Sequence, residues 1–187
     1  MQEIKGTEIN EIKKPEPEGF KEIKTEKGMD SQQARDFWDK EFEQEKDPPQ
    51  KIECSNESLA GKEHPETGVP FEKKIVEVNG DKYEVVVPVF ESQNDVQLPE
   101  NKLLATDKEQ FEFCNQDLKE KVESNQELRD KFDEIQLEQI MNGETPDGYT
   151  WHHDAEVGKM QLVDTETHQK TGHTGGKKIW GGGKQYR

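Results

Sequence analysis

Residues 149–176 read YTWHHDAEVGKMQLVDTETHQKTGHTGG, and this stretch decides the fold of the C-terminal part of the chain. Its first five residues, 149–153, predict a short strand, and the apolar run at 160–163 predicts a second strand after a turn. Asp164 is a helix-capping residue, and it predicts a short helix that continues to Thr171. The stretch therefore predicts a β-hairpin followed by a helix.

The histidines of the chain are concentrated in this same stretch. Of the five histidines, four lie within 22 residues. His168 and His173 have a spacing that allows two imidazoles to bind one ion, and one member of the pair His152 and His153 would complete a three-histidine site with an open position. The other member would then be available as a general base, since imidazole is largely neutral at pH 7. Neighbouring residues of a strand point to opposite faces, so this pair must lie at a strand end or a bulge to serve one site.

The chemistry of the ligands predicts the type of ion. Neutral imidazole nitrogen favours zinc or another divalent transition metal, such as nickel or copper, over magnesium without excluding magnesium. The two cysteines, Cys54 and Cys114, are isolated in sequence and form no metal-binding pair, although a single disulfide between them is compatible with the sequence.

Composition and charge exclude several classes of protein. Apolar residues make up 28% of the 187 residues, charged residues make up 36%, and the net charge is −16. This share of apolar residues is low for a globular chain, so part of the chain is expected to lack a packed core. No apolar run is long enough to cross a membrane, and the first residues, MQEIKGTEINEIKK, lack the apolar core expected of a signal peptide. The negative charge lies before residue 141, because residues 141–187 carry six basic and six acidic side chains.

The rest of the chain divides into three parts. Residues 1–30 repeat the phrase Glu-Ile-Lys between prolines and glycines, which is typical of a disordered segment or linker. Residues 31–62 are expected to contain an amphipathic helix, capped by Ser31, and an irregular segment. Residues 63–187 are expected to form the folded domain.

Within that domain, three patterns precede the histidine-rich stretch. Asn79-Gly80 between two β-branched runs predicts a hairpin with a two-residue turn. Asp107 is expected to cap a helix, and a second helical pattern places Leu128 and Ile135 on one apolar face. The fold class predicted from these elements is α+β.

The motif of the C-terminal stretch resembles a known family. The letters WHH, followed by GKMQLV, two histidines five residues apart and GG, closely resemble the WHH branch of the HNH/endonuclease VII nucleases. Domains of this family have the ββα-metal fold and are found at the C-termini of bacterial polymorphic toxins. The resemblance implies that the core of the nuclease domain lies at about residues 148–183. It further implies a metal-dependent endonuclease that hydrolyses phosphodiester bonds in nucleic acid, DNA in preference to RNA.

The resemblance also implies a role for each histidine. His152, His168 and His173 would be the metal ligands, and His153 would be the general base. The family has an asparagine that braces the metal-site loop, but Lys159 stands near the corresponding position, so the brace is expected to come from elsewhere in the chain.

Three basic side chains near the motif are candidates for binding the phosphates of the substrate: Lys159, Lys177 and Lys178. Toxins of this kind are secreted, act in the cytoplasm of the target cell and are neutralised by an immunity protein, which the resemblance implies here as a partner, with no membrane interaction. An alternative remains open at this stage. A non-enzymatic acidic interaction module with a structural metal site would also suit a net charge of −16, because phosphate binding usually requires clustered basic residues.

Overall fold

The computed structural model describes residues 28–42 and 48–181, and the chain forms two compact units, Met1–Pro48 and Pro49–Arg187. In the first unit the described element is helix α1, Ser31–Phe42. Asp30 caps this helix, since its carboxylate accepts hydrogen bonds from two backbone N–H groups of the first turn, each at 2.9 Å. The prediction of Ser31 as the cap was therefore wrong by one residue. The predicted linker lies almost entirely outside the described residues.

The second unit contains two β-sheets. The first sheet has the strand order β1-β4-β3-β2. Its strands are β1, Gln50–Lys51; β2, Lys62–Glu63; β3, Pro70–Val78; and β4, Asp81–Pro88. The predicted hairpin is β3–β4. Asn79 and Gly80 form its turn with φ angles of 55° and 88°, the left-handed region that a two-residue turn of this type requires.

The second sheet carries the histidine-rich stretch. Its strands, in the spatial order β5-β7-β6, are β5, Ser92–Gln97; β6, Tyr149–His153; and β7, Lys159–Asp164. Helix α5, Thr165–Lys170, follows β7 directly, and a short helix α6, Gly176–Ile179, follows the next loop. The hairpin and the helix therefore occur in the predicted order. Strand β5 was not predicted, because Val96 is its one apolar residue.

Three helices lie between the sheets in the chain: α2, Asp107–Ser124; α3, Gln126–Arg129; and α4, Glu134–Met141. Thr106, not Asp107, caps α2, and it does so in a reciprocal pair with Glu109. The second helical pattern is two helices rather than one, since Asp133 starts α4 with a cap of its own. As a result Ile135 does not share the buried face of Leu128 and is 65% exposed.

The main hydrophobic core joins the second sheet to these helices. Trp151 in β6 and Leu162 in β7 are buried against Leu118 and Val122 of α2. The indole N–H of Trp151 donates a hydrogen bond to Asn115 Oδ1 at 2.7 Å, so the polar end of this side chain is also satisfied. This packing fixes β6, and with it the two histidines that follow Trp151.

These elements confirm the predicted α+β class. Cys54 and Cys114 are both buried and both free thiols, so the two do not form a disulfide. Among the described residues, no helix has the length and apolar character needed to cross a membrane.

Candidate metal centre

Three of the predicted histidines converge on one point. His152 comes from β6, His168 from α5 and His173 from the loop that follows α5. Their ring centroids are 4.8–5.2 Å apart. One ring nitrogen from each residue lies within 4.8 Å of the others, and within the described part of the chain no acidic or cysteine side chain joins this group. The group is therefore a cluster of three histidines that could hold a metal ion.

Local hydrogen bonds orient two of these rings. Asp164 caps α5 by accepting from the Thr167 N–H at 2.7 Å, which holds the first turn of the helix that carries His168. His173 Nδ1 donates to the buried Thr171 carbonyl at 2.6 Å. A carbonyl only accepts, so the proton of neutral His173 lies on Nδ1 and the lone pair lies on Nε2. This is the usual arrangement of a metal-binding histidine, whose second nitrogen donates to a carbonyl.

An aromatic side chain forms the inner wall of the cluster. Phe90, in the segment between β4 and β5, is 6% exposed, and its ring centroid lies 4.8–5.4 Å from those of all three histidines. No local sequence signal indicates Phe90, because it lies more than 60 positions before the nearest of the three histidines. The Phe90 ring thus packs against all three imidazoles.

Burial keeps the three imidazoles neutral. Desolvation lowers the pKa of His152 well below its usual value, and the neighbouring His173 and His168 lower it further. The pKa of His168 is lowered to about 4, again mainly by burial and then by His173. Burial also lowers the pKa of His173, against a smaller opposing effect of its hydrogen bond to Thr171. Neutral imidazole is the form that binds a metal ion.

The spacing of one pair of ring nitrogens, those of His152 and His168, fits a metal ion. His152 Nδ1 and His168 Nε2 are 3.2 Å apart. Zinc–nitrogen bonds of about 2.0–2.1 Å in tetrahedral geometry place two ligand atoms about 3.3 Å apart. The same distance suits a hydrogen bond between the two rings when one of these nitrogens carries a proton, so a bound metal would replace that proton. Gly175 lies beside the cluster, and a Cβ there would come within 3.7 Å of His173 Nε2.

The fourth histidine, His153, lies beside the cluster at the end of β6. Its Nε2 lies 2.8 Å from Gln110 Oε1, and its ring lies between Phe111 and Trp180, with centroid distances of 5.8 and 5.7 Å. Asp107 is farther away, with 3.8 Å between its carboxylate and His153 Nε2. His153 is the last residue of its strand. Both His152 and His153 therefore line the same cavity, although their side chains have different neighbours.

That cavity has a volume of about 610 Å³, and all four histidines line it. Lys177 and Lys178 also line it, but their surroundings differ. Lys178 is exposed and its ammonium group contacts the Glu53 carbonyl at 3.0 Å. Lys177 is 6% exposed, and its ammonium group contacts three protein oxygen atoms at 2.9–3.2 Å. Lys159 is not among the residues that line the cavity, and its ammonium group lies 3.6–3.7 Å from Asp95 and Glu156.

The loop that carries His173 is braced by the segment after β1. Asn56 donates from its side-chain amide to the Gly172 carbonyl at 2.5 Å, and the Ser55 N–H donates to Thr174 Oγ1 at 3.0 Å. These bonds hold the loop on both sides of His173. These hydrogen bonds come from Ser55 and Asn56. Both residues lie more than 90 positions before Lys159, the residue near which the family has its bracing asparagine.

Comparison with known proteins identifies one family. Residues 80–175 match the family described as the DNase/tRNase domain of colicin-like bacteriocin. The match covers about half of the chain and includes all four clustered histidines, together with Gln110 and Phe90. It does not include the bracing residues at 55–56 or Lys177. Comparison with curated proteins and with solved structures gives no match.

Proposed function

Since the chain belongs to the family of DNase/tRNase domains of colicin-like bacteriocins, we propose that it is a metal-dependent endonuclease with DNA as its preferred substrate. The membership makes it a nuclease toxin domain, and the proposal adds the metal, the substrate and the ββα-metal architecture of the WHH type. One observation carries the proposal. Three neutral imidazoles meet at one point on the wall of a cavity that a fourth histidine also lines.

The residues that would hold the ion are His152, His168 and His173. A divalent ion bound to them would supply Lewis-acid polarisation of a phosphate oxygen and would stabilise the negative charge that grows on the leaving oxygen. Zinc or another transition metal suits three uncharged nitrogen ligands better than magnesium does. Three protein ligands also leave room for substrate, as is typical of catalytic rather than structural sites.

His153 is the proposed general base. Its imidazole takes a proton from a water molecule, and the resulting hydroxide attacks the phosphorus in line with the 3′ oxygen. The bond between phosphorus and the 3′ oxygen then breaks, and the 3′ oxygen takes a proton from solvent. The products are a 5′-phosphate end and a 3′-hydroxyl end. This reaction makes no use of a ribose 2′-hydroxyl, and DNA is therefore chemically competent as the substrate.

Binding of the substrate has to overcome the negative charge of the chain. Long-range repulsion is screened within about 8 Å at physiological salt, so contacts at the cavity itself decide binding. Lys178, exposed at the cavity, is the proposed phosphate contact, and Lys159 is a second candidate that would have to leave its acidic neighbours. The three short contacts of Lys177 favour a role inside the protein instead.

The proposed biological role is that of a polymorphic toxin. The domain would be secreted, would act on nucleic acid in the cytoplasm of a competing cell, and would be neutralised in the producing cell by an immunity protein. The family description, a domain of a colicin-like bacteriocin, supports this role.

The test is a cleavage assay on supercoiled plasmid and on tRNA, with purified protein freed of metal and then supplied with zinc, manganese or magnesium. We expect metal-dependent cleavage of the plasmid. His153→Ala should reduce the rate by about 10²–10⁴-fold, the usual contribution of a general base. His64→Ala is the matched control, because His64 is the one histidine of the chain outside the stretch 152–173, and its rate should equal that of the original protein.

Three outcomes would contradict the proposal. Cleavage of neither substrate with any ion would exclude the nuclease. Equal rates for His153→Ala and the original protein would exclude His153 as the base. Cleavage of tRNA alone would exclude the preference for DNA. The net charge of −16 favours one competing function, an acidic interaction module with a structural metal. That function predicts metal binding without cleavage, and an ion held by four protein ligands.

A further inference from the structure

A buried glutamine contacts the proposed general base. Gln110 of α2 has no solvent-exposed surface. Its side-chain NH₂ donates to two backbone carbonyls, those of Lys102 at 2.7 Å and Leu103 at 3.0 Å. Carbonyl oxygens accept and never donate, and the orientation of the amide is therefore determined: the nitrogen faces the two carbonyls and Oε1 faces the opposite side.

The oxygen of this amide has two donors. His153 Nε2 lies 2.8 Å from Gln110 Oε1, and the Lys177 ammonium lies 3.2 Å from the same atom. An amide oxygen has two lone pairs and can accept both bonds. Since Oε1 cannot donate, the contact at 2.8 Å is a hydrogen bond only when His153 carries a proton on Nε2.

Lys177 reinforces this orientation of the amide. Its ammonium group is also 2.9 Å from an Asp107 carboxylate oxygen and 3.1 Å from the Ala105 carbonyl. The ammonium group thus donates hydrogen bonds to Gln110 Oε1 and the Ala105 carbonyl and forms an ion pair with Asp107. A flipped Gln110 would direct its NH₂ at a buried cation and lose both carbonyl contacts, which makes the flipped orientation costly.

We propose that Gln110 is a positioning residue of the nuclease: its side-chain oxygen holds neutral His153 in the tautomer that has the proton on Nε2 and the lone pair on Nδ1. Nδ1 is then the atom that receives the proton of the attacking water. The inference rests on the proposed function for its catalytic meaning, but the tautomer is a property of the folded protein with or without activity. Loss of Gln110 removes the acceptor that favours this tautomer, and a neutral His153 protonated on Nδ1 cannot act as a base through that atom.

The first test is nitrogen-15 NMR of the metal-free, full-length protein with labelled histidine, with His153→Ala used to assign the ring signals. The chemical shifts of the two ring nitrogens distinguish a protonated from an unprotonated nitrogen. At a pH where His153 is neutral, we expect the proton on Nε2. A proton on Nδ1 in the folded original protein would overturn the proposal, and this result requires no variant to fold.

The second test replaces the amide by a side chain of similar length without hydrogen-bonding groups. In Gln110→Met we expect His153 to show a mixture of the two tautomers. Gln161→Met is the matched control, because Gln161 of β7 is also a buried glutamine, 8% exposed, whose side-chain amide contacts Asp95 rather than a histidine. The control should keep the single tautomer. An unchanged tautomer in Gln110→Met would overturn the proposal.

Kinetics separate this inference from the proposed function. Gln110→Met should lower kcat on plasmid DNA by about 10- to 100-fold with little change in KM, since a misoriented base loses part of the usual contribution of about 10²–10⁴-fold. Gln161→Met should keep the original kcat. If the original protein has the Nε2–H tautomer but cleaves no nucleic acid, the proposed function fails and the positioning by Gln110 stands. If it cleaves DNA and Gln110→Met is fully active, only the positioning role fails.

Discussion

Replacing the cap of helix α5 should weaken metal binding without disturbing the rest of the fold. Asp164 accepts from the Thr167 N–H at 2.7 Å, and His168 follows Thr167 directly, in the last turn of this short helix. Helix α5 has six residues, too few to be stable without its cap and its tertiary contacts. Asp164→Ala removes a cap that contributes about 1 kcal/mol, within a usual range of roughly 0.5–2 kcal/mol.

The expected size of the effect follows from this cap energy. If the lost energy is the cost of ordering helix α5, which carries His168, about 1 kcal/mol corresponds to a roughly fivefold weaker association with zinc. Isothermal titration calorimetry of the metal-free protein with zinc, at constant pH and with a competing chelator, measures this change. Circular dichroism during heating measures the accompanying loss of stability.

The chain offers a matched control for this variant. Asp133 caps helix α4 by accepting from the Gln136 N–H at 2.8 Å, and α4 carries no histidine. Asp133→Ala should lose a similar amount of thermal stability and keep the zinc affinity of the original protein. Equal zinc affinities in the two variants would refute the reasoning, because the cap of α5 would then have no special connection to the metal site.

Three further variants test other parts of the account. Asn56→Gly removes the brace on the Gly172 carbonyl and should weaken zinc binding about fivefold, the equivalent of one hydrogen bond of about 1 kcal/mol, as measured by calorimetry. Phe90→Leu keeps an apolar side chain but removes the ring that contacts the three histidines, and it should weaken zinc binding by about tenfold in the same assay. Gly176→Ala would place a Cβ in steric overlap with the Asp154 carbonyl oxygen, and it should lower the free energy of unfolding by about 2 kcal/mol in urea titrations.

Two of these variants have close controls. Asn79 and Asn56 both have a positive φ, 55° and 62°. Asn79→Gly, at the turn of hairpin β3–β4, therefore causes the same gain in backbone freedom as Asn56→Gly. Phe71 is buried in a different cluster from Phe90, and Phe71→Leu matches its loss of volume. Zinc binding should be unchanged in both controls. A zinc affinity that falls equally in a variant and its control would show general destabilisation instead. For Gly176→Ala, a protein as stable as the original would contradict the close packing of Gly176 against the Asp154 carbonyl.

The hairpin β3–β4, the hairpin β6–β7 of the histidine-rich stretch and helix α5 could be predicted because their signals are local. Asn79-Gly80 and the β-branched residues around it belong to one hairpin, and Asp164 caps the helix that follows it in sequence. Strand β5 gave no such signal. It has one buried apolar residue, Val96, and it owes its extended form to pairing with β7. Tertiary pairing of this kind leaves no local periodicity to detect.

The candidate site also contains some residues that a local sequence signal predicts and others that have no such signal. The spacing of His168 and His173 pointed to a shared ion, and the structure brings both to His152. The supporting residues could not be found from sequence, because each contacts the site from a distant part of the chain: Asn56 through the loop at Gly172, and Gln110 through a hydrogen bond to a histidine 43 positions later. One-residue errors at the caps Asp30 and Thr106 arose because two adjacent polar residues are both able to cap, and the backbone angles decide between them.

The central claim is that three imidazoles bind one ion and leave a position open for substrate. The most direct measurement is a crystal structure of the zinc-loaded protein, with anomalous diffraction recorded above and below the zinc absorption edge. We expect one strong anomalous peak, bonded at about 2.0–2.1 Å to His152 Nδ1, His168 Nε2 and His173 Nε2, with the fourth ligand not supplied by the protein. Absence of a peak at these three rings, or a fourth ligand from a protein side chain, would contradict the account.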